Sequence, residues 1–265
     1  GVFLLYASLI RSLRSSWGDI SVQPATHLVV QYLHVMGNGM KLIKWFADAL
    51  RTHLACPLVL LRGKWEADLG NACTDKQWEC ILRSPRDVPR NARFKLIQLY
   101  ILHRAYLSPD RINRYFHRTD AASPRCALVN AGLLHMLWSC PCLSIFWEGA
   151  LEKLSSCVGK PVKCTWEGCI LGMRMRDKKH RCADRFVDLG IVVAKRLLTR
   201  KWKAPDAPNI LAWKRSMAVW AGAESSVLRI EETRGLRTFP TANEWAEMLG
   251  TLETNESGAG SGAEG

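Results

Sequence analysis

Phe94, Ile97, Ile101 and Ala105 fall three or four residues apart, and so do Phe186, Leu189, Val193 and Leu197, and again Ile210, Trp213, Met217 and Trp220. That spacing sets each group on one face of a 3.6-residue helix. A chain made of such segments must bury the stripes against one another, so the expected fold is mainly α, an irregular helical assembly. Proline punctuates it. Pro85 and Pro89 are expected to break the chain, and Pro205 and Pro208 to end one helix and start the next.

The rest of the chain fits that reading. Residues 3–15 carry Leu4, Leu5, Leu9, Ile10 and Leu13 at near-helical spacing, and Lys41 to Arg51 reads as an amphipathic helix with Leu42, Trp45, Phe46 and Leu50 inward. Pro57 and Gly63 bracket a short apolar run, Leu58 to Leu61. Thr74 suits a helix N-cap. Asn91 to Leu107 and Leu143 to Leu154 read as helices. Ser108-Pro109-Asp110 is a helix start, with a capping hydroxyl, a proline suited to the first turn and an acid at the positive end. The expected organisation is a helical segment over 1–60, a main domain over 61–220, a C-terminal helical segment over 221–252 and a Gly/Ser tail over 253–265. The chain opens on glycine rather than methionine, which fits a piece of something longer.

Charge narrows the partners. The 265 residues hold 37 Lys and Arg against 24 Asp and Glu, a formal net charge of +13. A surface of that sign attracts polyanions, nucleic acid first and anionic membrane second. The excess is concentrated. Residues 83–118 hold nine cationic and two acidic side chains, residues 174–203 eleven and three, while 221–265 carry eight Glu and three Arg. Arg86, Arg90, Arg93, Arg104, Arg111 and Arg114 are candidate phosphate contacts in the first stretch. Lys178, Lys179, Arg181, Lys195, Arg200 and Lys201 are candidates in the second. Taken singly, each fits a solvated helix face better than a phosphate contact; taken as two clusters they favour nucleic acid. Gly1 to Ile10 is apolar but lacks a charged n-region and falls far short of the ~20 residues of a membrane span. The ten cysteines then read as thiols in a reducing compartment, most of them buried.

One group of residues carries chemistry. The spacing Ser123-x2-Cys126-x8-His135-x4-Cys140 matches a four-ligand zinc site, with serine standing at the first position. A neutral hydroxyl is a poor zinc ligand, so three good donors remain. Cys142, His117 or Asp120 could supply the fourth. The alternative is a packed thiol–imidazole cluster that holds no ion. A hydrolase using His135 with Cys126 or Cys140 fits the spacing less well than a metal knuckle does. No Asp-Asp pair, phosphate-binding Gly-x4-Gly-Lys-Ser/Thr or Gly-x-Ser-x-Gly elbow is present.

These residues resemble a known family. Leu102-His103-Arg104-Ala105-Tyr106-Leu107-Ser108-Pro109-Asp110-Arg111-Ile112 looks like the LHR-x-YL-T-P-x-RL signature that opens the zinc-binding region behind the reverse transcriptase domain of LINE-type non-LTR retrotransposons. Ser123-Pro124-Arg125-Cys126 resembles its Cys-Pro-x-Cys, His135-Met136-Leu137-Trp138-Ser139-Cys140-Pro141 its HM-x-W-x-CP, and Phe146-Trp147 its trailing FW. Trp65 to Leu69 upstream and Ala194 to Pro208 downstream fall in the family's order. The resemblance implies a C-terminal piece of a reverse transcriptase polyprotein. That piece would be non-catalytic, would work inside the cell in nucleus and cytoplasm, and would bind RNA or DNA beside the rest of the polyprotein. Zinc is the implied cofactor, on Cys126, His135, Cys140 and Cys142. Ser123 departs from the family's cysteine. The competing expectation is a zinc-free structural remnant that meets a protein partner. Trp138 and Tyr106 could stack on bases, but core packing is the expected role of each.

Overall fold

The computed structural model describes residues 57–87, 91–117, 119–163, 165–173, 181–236 and 241–254. The expected helices at 3–15 and 41–51, and most of the 1–60 segment, lie outside the described residues, as does the Gly/Ser tail from residue 255. The chain divides into two compact units, Gly1–Leu61 and Arg62–Gly265.

Eight α-helices are described: α1 (Pro57–Leu69), α2 (Asp75–Asp87), α3 (Ala92–Leu102), α4 (Pro109–Phe116), α5 (Ser144–Val158), α6 (Arg181–Arg200), α7 (Ile210–Thr233) and α8 (Ala242–Thr254). Two single π-turns, His135–Ser139 and Glu167–Leu171, and a 3-10 turn, Pro141–Leu143, join them. Among the described residues there is no strand, only one antiparallel bridge between Ala122 and Val129. No described helix is long and apolar enough to cross a membrane. The mainly α expectation holds, with the Cys/His turn lying between α4 and α5.

Helix α6 is the centre of the second unit. It packs on α3, α5, α7 and α8, and α7 and α8 pack on each other. Phe186, Val187, Leu189, Ile191, Val192, Val193, Ala194 and Leu198 are all buried, which is more than one stripe and suits a helix enclosed on several sides. Gly190 sits where the helices come closest. A β-carbon there would lie 2.5 Å from Leu154 Cδ2 of α5. The bare backbone also leaves the Gly190 carbonyl open to the Trp213 indole of α7, which donates to it at 2.9 Å. The same device recurs. Trp65 donates to the Leu102 carbonyl, Trp147 to that of Leu137 and Trp245 to that of Ala221. Each large apolar ring is thereby buried without orphaning its N–H.

Several boundaries move from the sequence reading. Pro57 to Leu69 is one helix, because a single mid-helix glycine costs only about 1 kcal/mol. Pro85 lies inside the last turn of α2 and does not break it. The helix read over 91–107 stops at Leu102, where the His103 cap and the left-handed Arg104 (φ 54°) turn the chain. Arg104 then lies 4.5 Å over the Trp65 ring and pairs with Asp68 at 2.5 Å, so Ala105 is exposed instead of packed. Helix α5 runs on to Val158 and ends at Gly159 in the left-handed conformation. The boundary drawn after residue 220 falls in the middle of α7. Phe186 and Trp245 meet edge to face at 5.1 Å, so the acidic C-terminal helix belongs to the same core.

Filling the α5–α6–α7 crossing tests this packing. Gly190→Val should lower stability by about 1–3 kcal/mol through overpacking against Leu154. A urea melt should show a lower midpoint with an unchanged slope.

Candidate functional site

The Cys/His residues are brought together by a short hairpin hung on α4. Asn113 of α4 accepts from the Ala121 amide at 2.9 Å and donates to the Ala121 carbonyl at 3.1 Å. The same amide group donates to Asn130 Oδ1, so one side chain grips both legs of the hairpin. The Ala122–Val129 bridge closes it, with Ser123 N donating to Leu128 O at 2.8 Å. Ser123, Arg125 and Cys126 lie at its tip. His135 opens a π-turn and Cys140 closes it, the Cys140 amide donating to the His135 carbonyl at 3.1 Å. Single π-turns of this kind are frequent at functional sites.

Cys126 Sγ, His135 and Cys140 Sγ offer donor atoms that all lie within 4.8 Å of one another, and Cys126 Sγ is 3.1 Å from His135 Nε2. Two thiols and an imidazole at that spacing can hold a metal ion. The backbone favours the ionised thiols: the Leu128 amide donates to Cys126 and the Cys142 amide to Cys140, each two residues on. Between Cys126 and Leu128, Ala127, whose own amide donates to the Ser123 carbonyl at 2.9 Å, adopts the left-handed conformation at φ 57°, which costs a non-glycine residue about 1–2 kcal/mol.

Ser123 is buried, and its hydroxyl is the chief influence that holds the Cys126 thiol below its ordinary pKa. The serine therefore supports a neighbouring donor rather than replacing one. Burial pushes the Cys140 thiol up to about 11, and burial followed by the Arg125 charge lowers His135. Cys142 is outside the compact group; its exposed thiol donates to the Arg125 carbonyl at 3.4 Å. His117 and Asp120 are not part of the group either.

Arg125 ties this turn to the end of α6. Its guanidinium donates to the Met136 carbonyl at 2.9 Å and to the Lys201 carbonyl at 3.2 Å. A cation at the C-terminal end of a helix is favourably placed against the helix dipole.

The basic candidates separate into distinct environments. Lys195, expected on the surface, is buried: its ammonium donates to Gln98 Oε1 at 2.5 Å and to the Ile170 carbonyl at 3.2 Å. Gln98 in turn donates to Ser84 and to the same carbonyl, so Lys195 locks α2, α3 and α6 to the second π-turn. It is corrected from a phosphate contact to a core cross-link. Arg104 is committed to Trp65 and Asp68, and Arg111 donates to the Arg104 and Tyr106 carbonyls. Arg114 is exposed beside Asp110 at 3.9 Å, and Arg86, Arg93, Arg200 and Lys201 are exposed. Arg181 opens α6; Arg90, Lys178 and Lys179 lie outside the described residues.

Two of the exposed candidates meet a third residue that sequence reasoning did not select. Arg196 lies 5.6 Å over the Trp220 ring, and its guanidinium is lowered by burial and then by the charges of Arg200 and Arg93. The first basic stretch, through Arg93, and the second, through Arg196 and Arg200, thus converge on one surface. The i,i+4 spacing of Arg196 and Arg200 was the available signal. Trp138 is half-buried and packs on the buried Trp147 at 5.1 Å.

No family model matches the chain, and no curated protein matches it.

The ligand set can be tested at Ser123. In a chelator-competition titration with zinc as the probe ion, Ser123→Ala should weaken binding about tenfold by removing a supporting hydrogen bond. Ser123→Cys should tighten it by adding a fourth thiolate. Equal affinity for all three chains would remove Ser123 from the site.

Proposed function

We propose that this chain is a non-catalytic, nucleic-acid-binding segment of a non-LTR retrotransposon reverse transcriptase, with RNA or DNA and the rest of the polyprotein as partners. The observation that carries the reading is the meeting of Arg93 with Arg196 and Arg200, residues about a hundred positions apart in sequence. Like charges gather against their mutual repulsion where a polyanion is to be met, since each phosphate they neutralise releases a counterion. The resemblance over residues 65–208 supplies the identity of the segment; the electrostatics supply the ligand class.

Cys126, His135 and Cys140 would hold zinc, which supplies a structural cross-link when bound. Three donors and a supporting serine suit that role. The chain's own residues do the rest. Arg125, next to Cys126, holds the Lys201 carbonyl, so the thiol–imidazole turn and the end of α6 that bears Arg200 are mechanically joined. Ordering the turn steadies the basic surface.

Titration of the full chain with single-stranded RNA at several salt concentrations tests the reading. Binding should weaken steeply with salt, and Arg93→Gln combined with Arg200→Gln should flatten the log–log slope by roughly 0.7 per lost contact. Lys195→Met should leave that slope unchanged in any folded sample, because its ammonium is spent inside. A wild-type chain that fails to bind at low salt overturns the reading and leaves the zinc-free protein-contact remnant in its place.

A further inference from the structure

An aromatic ladder lies beside the cationic cluster. Tyr100 of α3 meets Tyr106 at 6.2 Å, nearly edge to face, and Tyr106 meets Trp202 at 5.2 Å with their planes only 33° apart. Two polar contacts fix the inner rings. The Trp202 indole N–H donates to the Leu107 carbonyl at 2.8 Å, and the Tyr106 hydroxyl lies beside Thr199 of α6. The ladder is not core. Tyr100 is 47% exposed, and Leu96 and Leu107 on either side are 45% and 47% exposed.

Its position follows from helix geometry. Arg93 and Tyr100 are seven residues apart, which is two turns along one face of α3, a rise of about 10 Å. On α6, Thr199 falls between Arg196 and Arg200 in sequence, and Trp202 follows just past the helix end. In each helix the guanidinium groups precede the ring in sequence, and the two helices pack on each other.

We infer that this ladder is a stacking platform for the unpaired bases of a single-stranded nucleic acid whose phosphates lie along Arg93, Arg196 and Arg200. The inference rests on the nucleic-acid reading above and narrows it to a class of strand. Every base presents a π-face, so rings of this kind bind strands with little regard to sequence. A duplex keeps its bases stacked inside and offers the platform nothing but its backbone. Rings held in place by Leu107 and Thr199 lose little freedom when a base arrives, which favours binding.

The test compares ligands on the unaltered chain. Short labelled strands of U and of dT, strands of the same length in which every base is replaced by an abasic site, and a matched duplex are titrated by fluorescence anisotropy at low salt. The abasic strands carry the same phosphates, so they should bind about tenfold or more weakly if even one base stacks. The U and dT arms distinguish RNA from DNA as the source. Tyr100→Ser, at an exposed position, should bring the base-containing strands towards the abasic affinity and leave abasic binding unchanged. Equal binding of natural and abasic strands, or a duplex bound as tightly as the single strands, overturns the platform while leaving the electrostatic reading standing. Failure of every strand to bind overturns that underlying reading instead.

Discussion

The close crossing of α5, α6 and α7 at Gly190 is the constraint on which the second unit depends. A side chain there would collide with Leu154, and the Trp213 indole needs that carbonyl. With the crossing in place, α6 is enclosed by four helices and its flanks become fixed reference points. One flank takes Lys195 inward to Gln98 and the Ile170 carbonyl, and the other lays Arg196 over Trp220 and leaves Arg200 exposed. Neighbouring positions on one helix therefore differ in kind: Lys195 is a buried cross-link, Arg196 is half-buried over a ring and Arg200 is exposed. The buried ammonium is tolerable because its donors find oxygen partners in place of water.

From that frame outward, the fold relies on polar side chains that each hold more than one backbone segment. Asn113 grips both legs of the hairpin that bears Cys126. Arg125 spans from the π-turn of His135 to the end of α6. A short turn with one bridge and no strand has little apolar area of its own, so these contacts, and an ion on the thiols, are what can order it. The Cys/His turn and the cationic surface are thus consecutive parts of one connected network rather than separate sites.

The site was legible from its spacing only in part. Cys126, His135 and Cys140 could be selected because a tetrahedral ion demands donors of those types at short separations. The role of Ser123 could not, since a hydroxyl supporting a sulfur looks the same in sequence as a ligand that has been lost. Cys142 was selected for its chemistry and is excluded by direction: a 3-10 turn begins at Pro141 and its thiol faces the Arg125 carbonyl. Arg196 was passed over for Lys195, its neighbour, because a basic residue at the edge of an apolar stripe can fall on either side of the burial line. A few degrees of helix rotation decide which.

The sequence by itself determined the helical class and the helix start at Ser108-Pro109-Asp110, although the Ser108 hydroxyl bonds Asp110 instead of a backbone amide. Each depends on residues within a turn or two of one another, where backbone geometry leaves few choices. Tertiary structure alone decided that α3 ends at Leu102, that Pro85 stays within its helix, and that Arg93 faces Arg196 and Arg200. Those outcomes depend on pairs such as Arg104 with Trp65, or Lys195 with Gln98, whose members are 39 and 97 residues apart. Local propensity carries no information about a partner at that distance, and only the packed core brings it within reach.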